Sequence, residues 1–173
     1  MAYIGALDQG TTSTRFIIFN ELGEIITQSQ LEHEQILPQA GWVEHDAEEI
    51  WINTKRVIAS ALESANIAAS ELKAIGITNQ RETTVCWNRA SGKALTNAIV
   101  WQDTRTADYL NKLSEAQKAL ITQKTGTPIA PYFSASKMAW ILANKISDTS
   151  DLSFGTIDSW SVSYTHLTLP TKA

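Results

Sequence analysis

The sequence predicts an α/β domain built on a mixed sheet flanked by helices. Three observations carry that expectation. Two short apolar runs, residues 3–7 and 15–20, are joined by a polar turn rich in Gly, Thr and Ser. The stretch opened by Asp46 repeats its apolar residues at helical spacing. Beyond it, apolar runs of strand length alternate with segments of helical pattern, the arrangement that places helices on a sheet.

The first two runs read as strands of a hairpin, the second rich in Phe and Ile. Residues 24–36 alternate loosely between apolar and polar, and the Glu21-Leu-Gly23 turn before them predicts a third, antiparallel strand. Asp46 is a good helix N-cap, and Glu49 three residues on completes the pattern of a capping box. Ile50, Trp51, Thr54, Val57, Ile58, Ala61, Leu62 and Ala65 then share one helical face. Residues 72–78 are apolar with Gly76 inside, which predicts a buried strand opening onto the polar edge Asn79-Gln-Arg-Glu82. Residues 82–88 and 98–102 read as further strands, separated by the turn at 88–92. Helices are expected over 106–117 and 134–145, the latter capped by Ser134. No internal repeat and no low-complexity linker interrupts the pattern.

With 173 residues, 43% of them hydrophobic, and six Trp, the chain can bury a substantial core. A formal net charge of -4 offers no long-range attraction to nucleic acid or anionic lipid, so neither is an expected partner. Cys86 is the only cysteine, which excludes an internal disulfide and a Cys cluster for zinc. The opening Met-Ala-Tyr-Ile-Gly-Ala-Leu-Asp8 has no basic n-region and no apolar h-region. No apolar run approaches the roughly 20 residues of a membrane span. A soluble, cytoplasmic protein is expected.

The densest chemistry lies in Asp8-Gln-Gly-Thr-Thr-Ser-Thr-Arg15, which sets a carboxylate at the end of a strand directly before a Gly and four hydroxyl residues. Gly10 suits a tight turn, and the backbone N–H groups and hydroxyls of Thr11, Thr12 and Ser13 can converge on phosphate oxygens. Asp8 can hold Mg²⁺ directly or through water, and Arg15 can offset phosphate charge. No Lys follows and the next segment is strand-like, so this is not a Walker A loop; nor is it a Rossmann fingerprint, because G-x-G-x-x-G is absent. A polar hairpin capped by Asp8 satisfies the same residues, and on this segment alone the two readings stand level.

Arg81 and Glu82 follow the run 74–80, so one strand delivers a cation and an anion to the same rim. Guanidinium N–H groups donate to hydroxyl oxygens and a carboxylate accepts from hydroxyl hydrogens, which suits a polyol; a structural ion pair uses the same residues. Trp101 could cover the carbon skeleton of such a ligand, and the hydroxyl of Tyr132 could bond one of its oxygens, although both are also normal core or rim residues. Trp51, Trp87, Trp140 and Trp160 are assigned to packing. His45 is a lone histidine without metal-ligand partners at useful spacing, His33 reads as an exposed strand residue, and Cys86 as a small packing residue.

Taken in order, Asp8-Gln-Gly-Thr-Thr-Ser, Gly41-Trp-Val-Glu-His-Asp46, Gly76-Ile-Thr-Asn-Gln-Arg-Glu-Thr83, Ala98-Ile-Val-Trp-Gln-Asp-Thr-Arg105, Pro131-Tyr-Phe-Ser134 and the segment 137–142 resemble the carbohydrate kinases of the actin-like ATPase superfamily, and among them the glycerol kinases. The first loop and the W-x-D-x-R stretch are shared widely; the I-T-N-Q-R-E-T segment is similar to glycerol kinases in particular. The resemblance covers residues 3 to about 160.

It implies a ribonuclease-H-like first domain, with ATP phosphates near Thr11, Thr12, Ser13 and Arg15 and Mg²⁺ near Asp8. Glycerol would contact Arg81, Glu82 and Tyr132, with Trp101 as an apolar wall. ATP and Mg²⁺ are the implied cofactors, glycerol the implied substrate, and transfer of the γ-phosphoryl group to a terminal hydroxyl the implied reaction. The family continues into a second large domain that carries the general base. The resemblance therefore makes residues 1–160 a partial, truncated kinase domain with no catalytic base of its own, inactive as it stands, and leaves homo-oligomerisation of the full-length parent open. Residues 161–173, Ser-Val-Ser-Tyr-Thr-His-Leu-Thr-Leu-Pro-Thr-Lys-Ala, depart from the apolar strand and Thr-Gly turn of the family and read as a tail that is not native sequence. Two other readings stay open: a kinase for another sugar or polyol, and a non-catalytic actin-like nucleotide-binding module.

Overall fold

The computed structural model describes the backbone of residues 2–168 and the side chains of residues 2–163. Strands β1 (Tyr3–Gln9), β2 (Ser13–Phe19) and β3 (Ile25–Glu32) form an antiparallel meander, as the alternation predicts. β5 (Leu72–Asn79) adds to the other side of β1 in parallel, giving the order β3-β2-β1-β5 and a mixed sheet. A parallel neighbour needs a crossover, and helix α1 (Ala47–Ser64) supplies it. Its apolar stripe buries Val57 and Ala61 against Leu7, Phe16 and Ile18 of β1 and β2. Gly5 is required at the centre of this layer, because a Cβ there would stand 2.4 Å from the ring of buried Phe16.

Smaller pairs complete the architecture: β4 (Glu44–His45) with β7 (Ala98–Ile99), and β6 (Val85–Asn88) with β8 (Leu152–Gly155). Helices α2 (Ala107–Asn111), α3 (Glu115–Thr125), α4 (Ser134–Asn144) and α5 (Ile157–Thr168) surround them. A second core joins Ile50, Val85, Trp87, Ala98, Ile157 and Trp160, and a third joins Cys86, Ile99 and Ile141. Trp87 and Trp160 are thus packing residues, as is Cys86, whose thiol is pushed up to about 11 by burial. No helix among the described residues is long and apolar enough to cross a membrane.

Several local expectations are corrected. Asp46 caps α1, its Oδ1 accepting the N–H of Glu48, but no capping box forms: Glu49 instead accepts the N–H of Glu34. Ser134 is the first residue of α4 and not its cap, and its hydroxyl is turned to Glu82. One long helix over 106–117 is replaced by α2 and α3, separated at Ser114, which caps α3. β5 is not buried: it is an edge strand, with Ile75 and Ile77 about two-fifths exposed. An apolar run reads as a buried parallel strand whatever actually covers it, and the local sequence does not specify the cover. Finally, α5 runs on through 161–168, into the segment read as a tail that is not native sequence. Ser161 is buried, its hydroxyl accepting from Gln9 Nε2 at 2.8 Å. Residues 169–173 of the expected tail lie outside the described residues.

Candidate functional site

The β1–β2 connection is a tight turn closed by Gly10 N–H donating to Ser13 O at 2.9 Å. Three successive carbonyls of this loop are held from behind. Gln80 Nε2 donates to Gly10 O, His33 Nε2 and Gln35 Nε2 reach Thr11 O, and the His33 N–H donates to Thr12 O. With the carbonyls tied back, the N–H groups of Thr11 and Thr12 have no partner among the described residues. Such a loop presents donors to an anion.

Asp8 and Arg15 sit opposite each other in the β1–β2 register and pair at 3.2 Å, each partly exposed. Arg15 Nε is buried without a partner among the described residues. An orphaned guanidinium N–H, two unpartnered backbone N–H groups and an accessible carboxylate fit a phosphate group with its cation. Among the described residues no three His, Cys, Asp or Glu gather as a metal cluster, so Asp8 is a lone carboxylate. That donor set fits Mg²⁺ bound chiefly through phosphate and water and not a cage of protein ligands.

Behind the loop, His45 is fully buried. Thr83 Oγ1 donates to Gln80 Oε1, which turns the Gln80 amide nitrogen toward His45 Nδ1 at 3.1 Å. Nδ1 therefore accepts, and His45 Nε2–H donates to Gln35 Oε1 at 2.9 Å. Burial, then the neighbouring His33 ring with centroids 4.6 Å apart, pushes the His45 imidazole down to about 4. His33 is lowered too, mainly by burial. It is a buried residue and not the exposed strand residue expected, because the chain turns inward after β3 to cover the loop.

The rim residues come from three elements. Arg81 follows β5 and is exposed. Glu82 has φ +67°, a left-handed conformation uncommon outside Gly. Its Oε2 accepts from Ser134 N–H at 2.8 Å and Ser134 Oγ at 2.7 Å, so this carboxylate oxygen anchors the start of α4. Trp101 and Tyr132 meet edge to face, with centroids 5.8 Å apart. Trp101 Nε1 also donates to Thr11 Oγ1 at 3.0 Å. Gly10, Thr11, Asn79, Gln80, Arg81, Trp101 and Tyr132 line one cavity of about 210 Å³. The structure thus brings Thr11, Arg81, Trp101 and Tyr132 together. Asp8 and Arg15 sit beside them on the hairpin, and Thr12 and Ser13 on its turn. Glu82 faces Ser134 and does not line this cavity.

Sequence reasoning missed the supports. Arg105 is almost wholly buried, bonding both oxygens of Asp103 and Glu44 Oε1 while its guanidinium lies 3.8 Å from the Trp42 ring centroid. The W-x-D-x-R stretch therefore fastens residues 41–44 to the segment that follows β7. Only His33 and Gln35 left a legible signal: two residues apart in an extended segment, they share a face.

Residues 3–164 match the model of the FGGY family of carbohydrate kinases, N-terminal domain. The chain is 52% identical to a glycerol kinase of Saccharopolyspora erythraea over 92% of its own length. Among solved structures it superposes on Plasmodium falciparum glycerol kinase with ADP at TM-score 0.84 and 35% identity, covering 92% of this chain and 33% of that one. The fold is shared more widely: a ligand-bound xylulose kinase of Lactobacillus acidophilus, 21% identical, matches at TM-score 0.83 over 94% of this chain and 33% of the other. The chain spans about a third of the length of the relatives it matches.

Proposed function

The chain belongs to the FGGY family of carbohydrate kinases, and from that premise we propose that it forms the phosphate- and polyol-binding wall of an ATP-dependent glycerol kinase. The single observation that carries this reading is the cavity that Thr11 of the turn shares with Arg81, Trp101 and Tyr132. A phosphoryl donor on the loop and a small polyol on the rim would lie in contact.

In this reading Thr11, Thr12 and Ser13 cradle the phosphates through N–H and hydroxyl donors, Arg15 offsets their charge, and Asp8 holds Mg²⁺. Arg81 donates to glycerol oxygens, Tyr132 bonds one of them, and Trp101 covers the carbons. Glu82 would accept a hydroxyl hydrogen through the oxygen not engaged by Ser134. Bound ATP with Mg²⁺ would supply the γ-phosphoryl group, which a terminal glycerol oxygen accepts as its O–P bond forms and the bond to the bridging oxygen of ADP breaks. These residues contribute position and charge neutralisation, the main terms in phosphoryl transfer. Kinship with the family puts the base that takes the proton leaving the hydroxyl in the second domain of the full-length parent. A cytoplasmic location is part of the same proposal and rests on kinship.

Residues 1–160 are proposed as the partial kinase domain and 161–173 as sequence foreign to it. What supports that boundary is the change of character after Trp160, while the family match running on to residue 164 and the buried Ser161 bonded to Gln9 count against it. The nucleotide sequence beyond the Trp160 codon tests it.

The substrate is tested in the full-length enzyme with Glu82→Gln and Glu82→Ala. Loss of the charged acceptor should weaken glycerol use by about 1–3 kcal/mol in kcat/KM for both. The Ala variant also loses the Ser134 anchor and should melt lower. Unchanged kcat/KM for glycerol beside a loss for xylulose or gluconate would move the reading to another sugar kinase. ATP binding without any polyol-dependent turnover would move it to a non-catalytic module.

A further inference from the structure

Lys137 lies in the first turns of α4 and its side chain is fully buried. Its Nζ donates to Pro131 O at 2.8 Å, Tyr132 O at 2.5 Å and, at the limit, Phe133 O at 3.5 Å. A buried cation near a helix N-terminus is costly twice over, since burial strips its water and the helix dipole there favours anions. A Leu or Met would fill the same space without that cost. What the ammonium adds is a hold on three consecutive carbonyls, and the middle one belongs to Tyr132.

We infer that Lys137 is a positioning residue for the polyol site, fixing the 131–133 backbone so that Tyr132 is presented to the ligand beside Trp101. This rests on the proposed glycerol site and adds to it a residue that touches no ligand. Glu82 works on the same joint, accepting the Ser134 N–H immediately after the loop. The two residues together pin the chain from 131 to 134 to the rim, and the cavity wall formed by Tyr132 depends on that pin.

Burial lowers the Lys137 amine from its usual value to about 8, against the pull of the Glu82 and Asp103 carboxylates. Those are the charged groups that face it, and Asp103 is itself paired with Arg105. Below about pH 8 the ammonium has three protons for three carbonyls; above it the amine has two protons and turns a lone pair toward the third. The grip on the loop therefore weakens as pH rises.

The test uses the full-length enzyme, with glycerol and a non-hydrolysable ATP analogue titrated separately by calorimetry. Lys137→Met should raise the Kd for glycerol about tenfold, the equivalent of one charged hydrogen bond, and leave the Kd for the analogue within about twofold. In the wild type the glycerol Kd should climb as pH passes about 8, while the analogue does not follow it and the Met variant stays flat. If Lys137→Met does not fold, the wild-type pH series decides alone: a glycerol Kd unchanged up to about pH 9.5 overturns the inference. So does a folded variant that binds glycerol normally, or one that loses both ligands equally, which marks a purely structural lysine. A wild type that binds a different polyol defeats the glycerol reading only, and Lys137 is then judged with that polyol.

Discussion

Trp101 Nε1 donates to Thr11 Oγ1 at 3.0 Å across ninety positions of sequence. Trp101, proposed as the apolar wall for a polyol, is therefore hydrogen-bonded to the turn proposed to hold phosphate, and neither shifts without the other. Its backbone reinforces the link, since the Trp101 N–H donates to Thr83 Oγ1 and Thr83 in turn orients Gln80, which holds Gly10 O.

Trp101→Phe keeps an aromatic face and removes this one donor. In the full-length enzyme it should weaken nucleotide binding by about 1 kcal/mol although Trp101 is a rim residue. A double-mutant cycle with Thr11→Ala should return a coupling of about 1 kcal/mol for nucleotide affinity. Strict additivity would mean that the bond transmits nothing between the two halves of the site.

Asp8→Asn preserves size and turn geometry and removes the charge that pairs with Arg15. The pair is well exposed, so stability should change little. If Asp8 holds Mg²⁺, turnover should fall about a hundredfold or more, with the circular dichroism spectrum and thermal midpoint retained. Full activity in that variant would make the carboxylate a turn residue only.

His33 and His45 make the fold sensitive to acid. Both imidazoles titrate lower in the folded chain than in the unfolded one, His45 at about 4. As pH falls below about 6.5 the unfolded chain takes up protons first, so the stability tied to these neutral rings is complete above that pH and is lost toward about pH 4. His45 accounts for about 3 kcal/mol of that loss. Urea unfolding in steps between pH 7 and pH 4 should show a declining free energy. His45→Gln, which can still accept from Gln80 and donate to Gln35, should flatten that decline. An equal decline in both proteins would assign the acid sensitivity to carboxylates.

The elements that proved legible are those whose signal is local. The β1–β2 hairpin, the Asp46 cap and the apolar stripe of α1 follow from period, turn chemistry and capping within a few residues. The exposed face of β5 was not legible, because an apolar run does not reveal what packs on it. Nor, apart from the shared face of His33 and Gln35, was the layer behind the Gly10–Ser13 turn. His33, His45 and Gln80 come from separate segments, and the polar satisfaction that makes them matter exists only once the chain has folded. Reactive-looking residues announce themselves by type; the groups that hold them in place do so only by contact.

The 173-residue chain by itself should not phosphorylate glycerol at a measurable rate. The cavity is lined by Gly10, Thr11, Asn79, Gln80, Arg81, Trp101 and Tyr132, none of which can take a proton from an alcohol near neutral pH, and the Glu82 carboxylate beside them is held in part by Ser134. In-line transfer also needs donor, acceptor and metal held between two walls, and these residues form one. Ile4, Ile75 and Ile77 remain about two-fifths exposed on β1 and β5, and such apolar surface favours self-association. A coupled ADP-release assay with glycerol, ATP and Mg²⁺ on this chain, run beside one extended by a native second domain, tests the point. Turnover should appear only in the extended protein, and sedimentation should show the shorter one associating as its concentration rises. Robust glycerol-dependent release of ADP by the shorter chain would place a base within residues 1–173 and overturn the two-wall reading.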